Sequence, residues 1–465
     1  QHDCGAAMSE PRRNGGAAAT AEGPSGHRLG RLPFFYGWVI VGVAFITVAL
    51  GVTARTAFSL IFPSIVDEFG WDRGLAAGAF SFGFMVSALL SPLVGRLMDR
   101  RGPCLVIEMG VLLTAAGLLT ATLIERPWQL YATLGVLVGG GTNCMTFTAQ
   151  SLYLPNWFVR RRGLALSIAF SGAGLGAIVL LPWLQLIIQR QGWRASCWTL
   201  GTLILAVLVP INLLVRKRPE DVGSQPDGNR MPSGGATVRP ASNIVDPVWA
   251  AVTWTTERAL RTARFWWIAV GYFGGGFVWY QVQVHQTKYL VEIGFDPMQA
   301  AWALGLVAVV AIPGQIILGA LSDRIGREFV WTVVCAGFAI CYAALLALAT
   351  GPSQVLLYLM VVSQGSLGYA MTAIMGPIVA EIFEGPHYGS IFGLVTVALV
   401  IGGAAGPLAA GLIHDATGSY RDAFVISILL CAVSAVAIWN AAPRKVRLVP
   451  GLRRPYESFA NNCFD

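Results

Sequence analysis

The chain is short of charge. Only 12% of its 465 residues are Asp, Glu, Lys or Arg, about half the share of an ordinary soluble domain. With 55% hydrophobic residues and a mean hydropathy of +0.62, a water-soluble fold would expose greasy patches and aggregate. A soluble enzyme and a disordered scaffold are excluded together. No Cys-x-x-Cys pair occurs among the eight cysteines, most of which lie in apolar runs. Neither a metal-ligand set nor a disulfide framework is expected, and the cysteines read as small buried hydrophobes. A phosphate-binding Gly-Lys-Ser/Thr loop and a Gly-x-Ser-x-Gly elbow are also missing, which argues against nucleotide-driven and hydrolase chemistry. No cofactor is expected.

What fills the chain instead is apolar sequence. Twelve segments are each long enough to cross about 30 Å of hydrocarbon as a helix. They fall at about 36–62, 74–95, 104–124, 130–152, 163–188, 195–215, 265–290, 298–321, 329–349, 354–378, 388–413 and 422–441. The runs are continuous rather than alternating, which favours helices over a β-barrel. The expected fold is an all-α membrane protein of two six-helix bundles, 36–215 and 265–441. A disordered tail is expected over 1–35 and a second tail over 442–465. The linker, 216–264, is rich in Gly, Pro and Ser from Glu220 to Asn243 and reads as flexible there. Its end, Trp249–Arg264, is amphipathic and basic, and predicts a helix lying on the membrane surface. The first apolar run is far longer than a signal-peptide core, so no cleaved leader is expected.

The positive charges set the topology. With both termini on one side, 25 of the 32 Lys and Arg fall on that side and six on the other. The positive-inside rule makes the termini cytoplasmic. The net charge of +8 is thereby explained by topology and anionic lipid, without nucleic acid.

The halves repeat each other. Shifted by 224, Glu68–Gly102 falls on Glu292–Gly326 and twelve of 35 positions match. Further on, Trp193-Arg194 pairs with Tyr420-Arg421. Two six-helix units in the same orientation imply a pseudo-twofold axis along the membrane normal and a site between them.

Gly95-Arg-Leu-Met-Asp99-Arg100-Arg-Gly102 stands between helices 2 and 3. It recurs as Gly319-Ala-Leu-Ser-Asp323-Arg324-Ile-Gly326 between helices 8 and 9. This pattern resembles the Gly-x3-Asp-Arg-x-Gly motif of the major facilitator superfamily, in both expected places. Phe35-Tyr-Gly-Trp38, Asn156-Trp-Phe158-Val-Arg-Arg-Arg162-Gly and Arg218-Pro-Glu-Asp-Val-Gly223 are similar to bacterial monocarboxylate and oxalate–formate transporters. The resemblance implies a secondary transporter in a bacterial inner membrane, working by alternating access and acting as a monomer. It implies that the motif residues latch the halves on the cytoplasmic face, with Arg160–Arg162 and Glu381 as partner charges.

The resemblance also implies that helices 1, 4, 7 and 10 line the solute cavity. Arg55 in helix 1 is the sharpest candidate. A lone charge in a membrane helix costs roughly 3 kcal/mol or more, and its fork matches a carboxylate. Gln281 and His285 share a face of helix 7 with Lys288, and the repeat places His285 opposite Arg55. His285 can also carry a coupling proton. Asn143 and Gln150 in helix 4 and Gln364 and Tyr369 in helix 10 are candidate hydrogen-bonding groups. Trp279 and Tyr280 are candidate stacking groups. Glu108 in helix 3 is a second proton candidate, although pairing with Arg96 or Arg101 suits a peripheral helix better. Helix 8 lacks the Asp–Arg pair of animal monocarboxylate carriers, and helices 8 and 11 lack the Arg and Lys of oxalate–formate exchangers, which argues against oxalate exchange. The expected solute is a small organic monoanion moved with a proton. A flat heterocycle, such as a flavin-like vitamin or a drug, is the alternative, and a non-transporting receptor is a third reading.

Overall fold

A computed structural model describes residues 35–71, 73–222, 224–228 and 243–452. Both expected tails lie mostly outside the described residues, as does most of the Gly-, Pro- and Ser-rich part of the linker. The first half contains α1 (Gly37–Phe69), α2 (Arg73–Arg101), α3 (Pro103–Ala121), α4 (127–157), α5 (Arg162–Gln191) and α6 (Trp193–Asn212). The second contains α7 (Ala263–Glu292), α8 (Pro297–Ile325), α9 (Arg327–Leu348), α10 (Gln354–Ile382), α11 (Tyr388–Thr417) and α12 (Arg421–Ala441). Several helices run one or two turns past the apolar segments that announce them. α1, for example, continues to Phe69 through Asp67 and Glu68, which face the polar zone.

Ten of these helices are apolar enough to span a membrane by composition. The exceptions are α4 and α7. α4 is broken at 144–146 and holds a π-helical stretch, Tyr131–Val138. α7 carries Tyr280, Gln281, His285, Gln286 and Lys288 along its outer half. α10 is the partner of α4 in the repeat and is irregular at the matching depth, with a π turn at Ser363–Leu367 and a 3-10 turn at Gly368–Ala370. Such turns inside helices recur at functional sites.

Within the halves, α1 packs on α5 and α7 on α11. Between them, α2 packs on α11 and α5 on α8. Glycine makes these crossings close. A Cβ on Gly389 would lie 2.7 Å from the Gly95 carbonyl oxygen, and one on Gly319 would lie 2.7 Å from that of Gly163. Backbone therefore touches backbone at two pseudo-equivalent points.

Both points are on the face that carries the linker, hereafter the linker face, and each is locked by a carboxylate. The Asp99 carboxylate accepts hydrogen bonds from the Gly389 and Ser390 N–H groups at 3.0 and 2.9 Å, and from the Ser390 hydroxyl at 3.0 Å. The Asp323 carboxylate accepts from the Gly163 and Leu164 N–H groups at 2.9 and 3.1 Å. Each half thus caps the first turn of a helix in the other, where free N–H groups and the helix dipole favour an anion. Among the described residues, every hydrogen bond between the halves lies on this face.

The arginines differ from expectation. Arg100 and Arg324 are exposed, and neither is in an ion pair among the described residues. Arg327, one turn beyond Asp323, takes the inward role. It is 1% exposed and pairs with Asp323 at 2.7 Å and Glu381 at 2.9 Å. Glu381 is therefore held inside its own half. Arg162 reaches across to Glu384 instead, at 3.1 Å. Gly102 and Gly326 adopt φ of 85° and 109°, a left-handed turn that glycine tolerates and that starts α3 and α9.

The linker also departs from its reading. Trp249–Arg264 does not form one surface helix. The Asp246 carboxylate caps the N–H of Trp249 and the Thr255 hydroxyl caps that of Arg258, which starts two separate short helices. Trp249 and Trp254 pack together at a tilt and against Phe383, and the Trp249 indole donates to the Ile382 carbonyl at 2.8 Å. Part of the stretch expected to be flexible is docked too. The Asp227 carboxylate accepts from the N–H groups of Val159 and Arg160 between α4 and α5. Burial pushes the Asp227 carboxyl above its usual range, against the pull of those N–H groups.

Removing the buried cation tests the latch. Arg327→Met leaves the carboxylates of Asp323 and Glu381 buried without it, at a cost of about 3–5 kcal/mol. A marked drop in unfolding temperature in detergent is expected, and an unchanged value would contradict this account.

Candidate functional site

Arg55 sits in the outer half of α1, one turn past the point where the α1–α5 seam is closed by Gly176 against the Ala49 carbonyl. Its side chain is half-buried. The guanidinium lies 3.8 Å over the ring of Phe84 and donates one hydrogen bond, at 3.1 Å, to the Ser87 hydroxyl. Ser87 is fixed in turn by donating to the carbonyls of Gly83 and Gly139. Among the described residues, no carboxylate pairs with Arg55. α2 therefore orients the fork through a ring face and a hydroxyl, and its charge stays uncompensated. A small void of about 20 Å³, bordered by Arg55, Phe58, Phe80, Gly83 and Leu134, adjoins it. It is large enough for a water molecule.

The second half reaches this point through Tyr280. Its ring meets Phe84 edge-on, with centroids 5.8 Å apart, and Gly403 of α11 leaves room for it, since a Cβ there would lie 2.5 Å from the ring. Arg55, Phe84 and Tyr280 thus form a continuous contact from one half to the other. The preceding residue, Trp279, stacks flat on Tyr369 of α10, at 4.3 Å and 8°.

His285 is not opposite Arg55. One ring nitrogen, Nε2, lies 3.0 Å from the Pro407 carbonyl and the other, Nδ1, lies 3.3 Å from the Tyr420 hydroxyl. A carbonyl only accepts, so in the neutral ring Nε2 carries the hydrogen and Nδ1 accepts from Tyr420. His285 thereby extends the α7–α11 seam outward. Lys288 pairs with Glu292 one turn on, at 3.6 Å.

The amides divide. Gln281 donates to the Ala423 carbonyl and accepts from the Ser427 hydroxyl, tying α7 to α12. Asn143 donates to the Ser87 carbonyl and the Ser91 hydroxyl, tying α4 to α2 behind Arg55. Gln150 donates to the Met145 carbonyl and accepts from Tyr153, bridging the break in α4. Gln364 differs from these. It is wholly buried on the π turn of α10, and neither of its amide atoms has a hydrogen-bond partner of normal geometry.

Glu108 forms no ion pair among the described residues, and its Oε1 is buried without a hydrogen bond. Cys104, one turn earlier on the same face, donates to the Asn212 carbonyl of α6 at 3.5 Å. That face looks at α6, and the expected pairing with Arg96 or Arg101 is not made among the described residues.

Sequence reading missed Phe84 and Ser87, which orient Arg55, and Glu384, which receives Arg162. Phe84 and Ser87 fall at i and i+3 on α2. No local signal separates them from lipid-facing neighbours such as Met85 and Leu89. Glu384 lies in a loop that sequence reading left unmarked.

Comparisons with known proteins agree with this architecture. The chain is 27% identical over 411 residues to bovine monocarboxylate transporter 13, covering 87% of this chain and 89% of that protein. It is 27% identical over 419 residues to human monocarboxylate transporter 12, covering 86% and 78%. Among solved structures, it resembles the proton:xylose symporter XylE with a TM-score of 0.67 at 13% identity, over 87% of this chain and 95% of that one. The fucose:proton symporter FucP of E. coli gives 0.62 at 18% identity, over 87% and 99%. At such identities these two structures speak to the fold alone. A model of the Major Facilitator Superfamily matches residues 44–376. That match runs from α1 into α10 and takes in both halves, so the chain belongs to the Major Facilitator Superfamily and is a multi-pass membrane transporter, not an enzyme.

Proposed function

We propose that this transporter moves a small organic monoanion of the monocarboxylate type, together with a proton, by alternating access between the two halves. The observation that carries the reading is Arg55. Its guanidinium is oriented by Phe84 and Ser87, stands where the halves meet, and has no carboxylate partner among the described residues. An uncompensated, pre-oriented fork in a membrane helix is suited to a carboxylate. The names of the curated relatives point the same way.

The alternative solute, a flat heterocycle, needs an open aromatic face. The face of Trp279 is covered by Tyr369, which favours the anion. Tyr280 and Gln364 are the second half's candidate contacts to the solute. Gln281, Asn143 and Gln150 support the helices that carry the site.

His285 is the residue proposed to take the coupled proton. A proton added at Nδ1 turns that nitrogen from acceptor to donor, and the Tyr420 hydroxyl must then turn its hydrogen elsewhere. Protonation is thereby coupled to the corner between α11 and α12. The linker face is proposed to be cytoplasmic, because it carries most of the Lys and Arg. Placement in a bacterial inner membrane rests on the resemblance of the Phe35–Trp38 and Asn156–Arg162 stretches. The protein is proposed to act as a monomer.

Arg55→Gln is expected to abolish saturable uptake of a monocarboxylate, and its protection of the purified protein against heat, while the protein still folds. Trp279→Ala is expected to weaken uptake less. Wild-type affinity in Arg55→Gln sinks the anion reading, and a larger loss in Trp279→Ala moves the solute to the aromatic pair. His285→Gln is expected to stop accumulation driven by a pH gradient while one-for-one exchange of labelled solute continues. Gradient-driven accumulation at the wild-type level removes His285 from the proton path.

A further inference from the structure

Beyond α12 the described residues, up to 452, stay against the protein. Ala442 turns it back with a φ of 49°, and residues 443–452 run beneath the second half on the linker face. The Val245 N–H donates to the Val446 carbonyl and the Leu448 N–H to the Asn243 carbonyl, both at 2.8 Å. This pairs the segment with the linker residues that lead into α7. Val446 and Val449 are buried. The Arg444 N–H donates to Glu328 at 2.9 Å. At Gly451 a side chain would collide with the backbone of Arg324.

Arg447 is the centre of this segment. It is 6% exposed. Its Nε pairs with one carboxylate oxygen of Glu384 at 3.0 Å, and a terminal nitrogen donates to the Glu381 carbonyl at 2.8 Å. The other oxygen of Glu384 receives Arg162 from the first half at 3.1 Å. One loop carboxylate is therefore shared between the C-terminal segment and the opposite half. Its own side chain is 47% exposed, and the fork of Arg447 spans both it and the end of α10.

We infer that Arg447 is a positioning residue for the inter-half latch: by holding Glu384 and the end of α10, the C-terminal segment presents the carboxylate to Arg162 and weights the molecule toward the state closed on the linker face. Arg162 does not hold Glu384 equally well alone. The Arg162 fork is already fixed on the carbonyls of Pro155 and Phe158, so the side chain left to be ordered is the half-exposed Glu384, and Arg447 orders it. The electrostatics agree with the geometry. Burial works to raise the Glu384 carboxyl, yet Arg162 and Arg447 outweigh it and hold it below the usual carboxylate range. The other charged groups facing this trio are Glu381, Asp227 beside Arg162 and, behind Glu381, Arg327 and Glu328.

The inference rests on alternating access, but its test reads the conformational balance directly and needs no solute. Spin labels are placed at Leu105 and Phe329, exposed positions near the linker-face ends of α3 and α9, in the full chain with its native cysteines replaced. Pulsed dipolar distances then report the ratio of open to closed linker face. Arg447→Gln is expected to raise that ratio at least threefold. Arg447→Lys keeps the charge and loses the fork, and is expected to fall between. In an Arg162→Gln background, Arg447→Gln is expected to add no further shift. A lower unfolding temperature with an unmoved distance distribution makes Arg447 merely structural and overturns the inference, as does an equal shift with Arg162 absent. Should Arg447→Gln fail to fold, Glu384→Gln reads the same link from the shared carboxylate, and an unmoved distribution there is equally fatal. A chain that passes this test and loses nothing in Arg55→Gln keeps its brace and changes its solute.

Discussion

Two helix beginnings cannot satisfy their own N–H groups, and the way this protein satisfies them organises the rest. The first turns of α5 and α11 each receive a carboxylate from the other half, Asp323 and Asp99. A cap supplied from within the same half would hold in any arrangement of the halves. A cap supplied from across the interface exists only while the linker face is shut. The free energy of capping, typically about 1 kcal/mol per neutral cap and more when the acceptor is charged, is thereby attached to the conformational equilibrium. The glycine pairs Gly95/Gly389 and Gly163/Gly319 follow from this arrangement. A carboxylate one turn beyond Gly95 or Gly319 reaches a backbone N–H across the interface only if the backbones touch.

The duplication leaves the two latches unequal. Asp323 has Arg327 beside it, buried and shared with Glu381. Residue 103, the repeat counterpart of Arg327, is a proline, and Asp99 relies on the Ser390 hydroxyl and on nearby Lys217, whose ammonium group donates to the Asp99 carbonyl at 2.6 Å. The opposite face shows the same divergence. Glu68 accepts from both Trp193 and Arg194 at 2.7 Å, whereas Glu292 keeps Lys288 and His414 at 3.6 and 3.8 Å. Symmetry of topology has outlasted symmetry of charge, so a balance between the two faces need not be even.

Much of the fold is legible in the sequence because the bilayer leaves few options. A continuous apolar run must be a helix there, and the spacing of Gly95, Asp99 and Gly102 repeats near Gly319. Helix ends are less legible, since polar residues such as Asp67 and Glu68 continue α1 beyond its apolar part. The site is legible only in its charged member. Arg55 stands out by its cost in lipid, but Phe84 and Ser87 look like any other membrane residues, and only their meeting with Arg55 gives them a role. His285 illustrates the opposite error. A repeat offset aligns it with Arg55 in sequence, yet the offset drifts along the chain and a shift of a few residues rotates a helical side chain to another face. The second half therefore meets Arg55 with Tyr280, and His285 turns to Pro407 and Tyr420.

The partners of Arg55 bear on why a single positive charge can be kept here at all. A guanidinium buried against a carboxylate would be neutral as a pair and would offer little to an anionic solute, because the resident acid would have to be displaced first. A guanidinium against alkyl side chains alone would be too costly to hold in place. The face of Phe84 and the oxygen of Ser87 lie between these limits. They offset part of the desolvation without cancelling the charge, and Asn143 and Gly139 fix Ser87 from behind. The fork is thus held in one orientation with donors left over. Tyr280 then makes the same Phe84 ring a contact between halves, so a solute proposed to sit on Arg55 would act on α7 through that ring. On the proposed reading, solute binding at Arg55 and movement of the halves share a single aromatic side chain, and no longer pathway is needed to connect them.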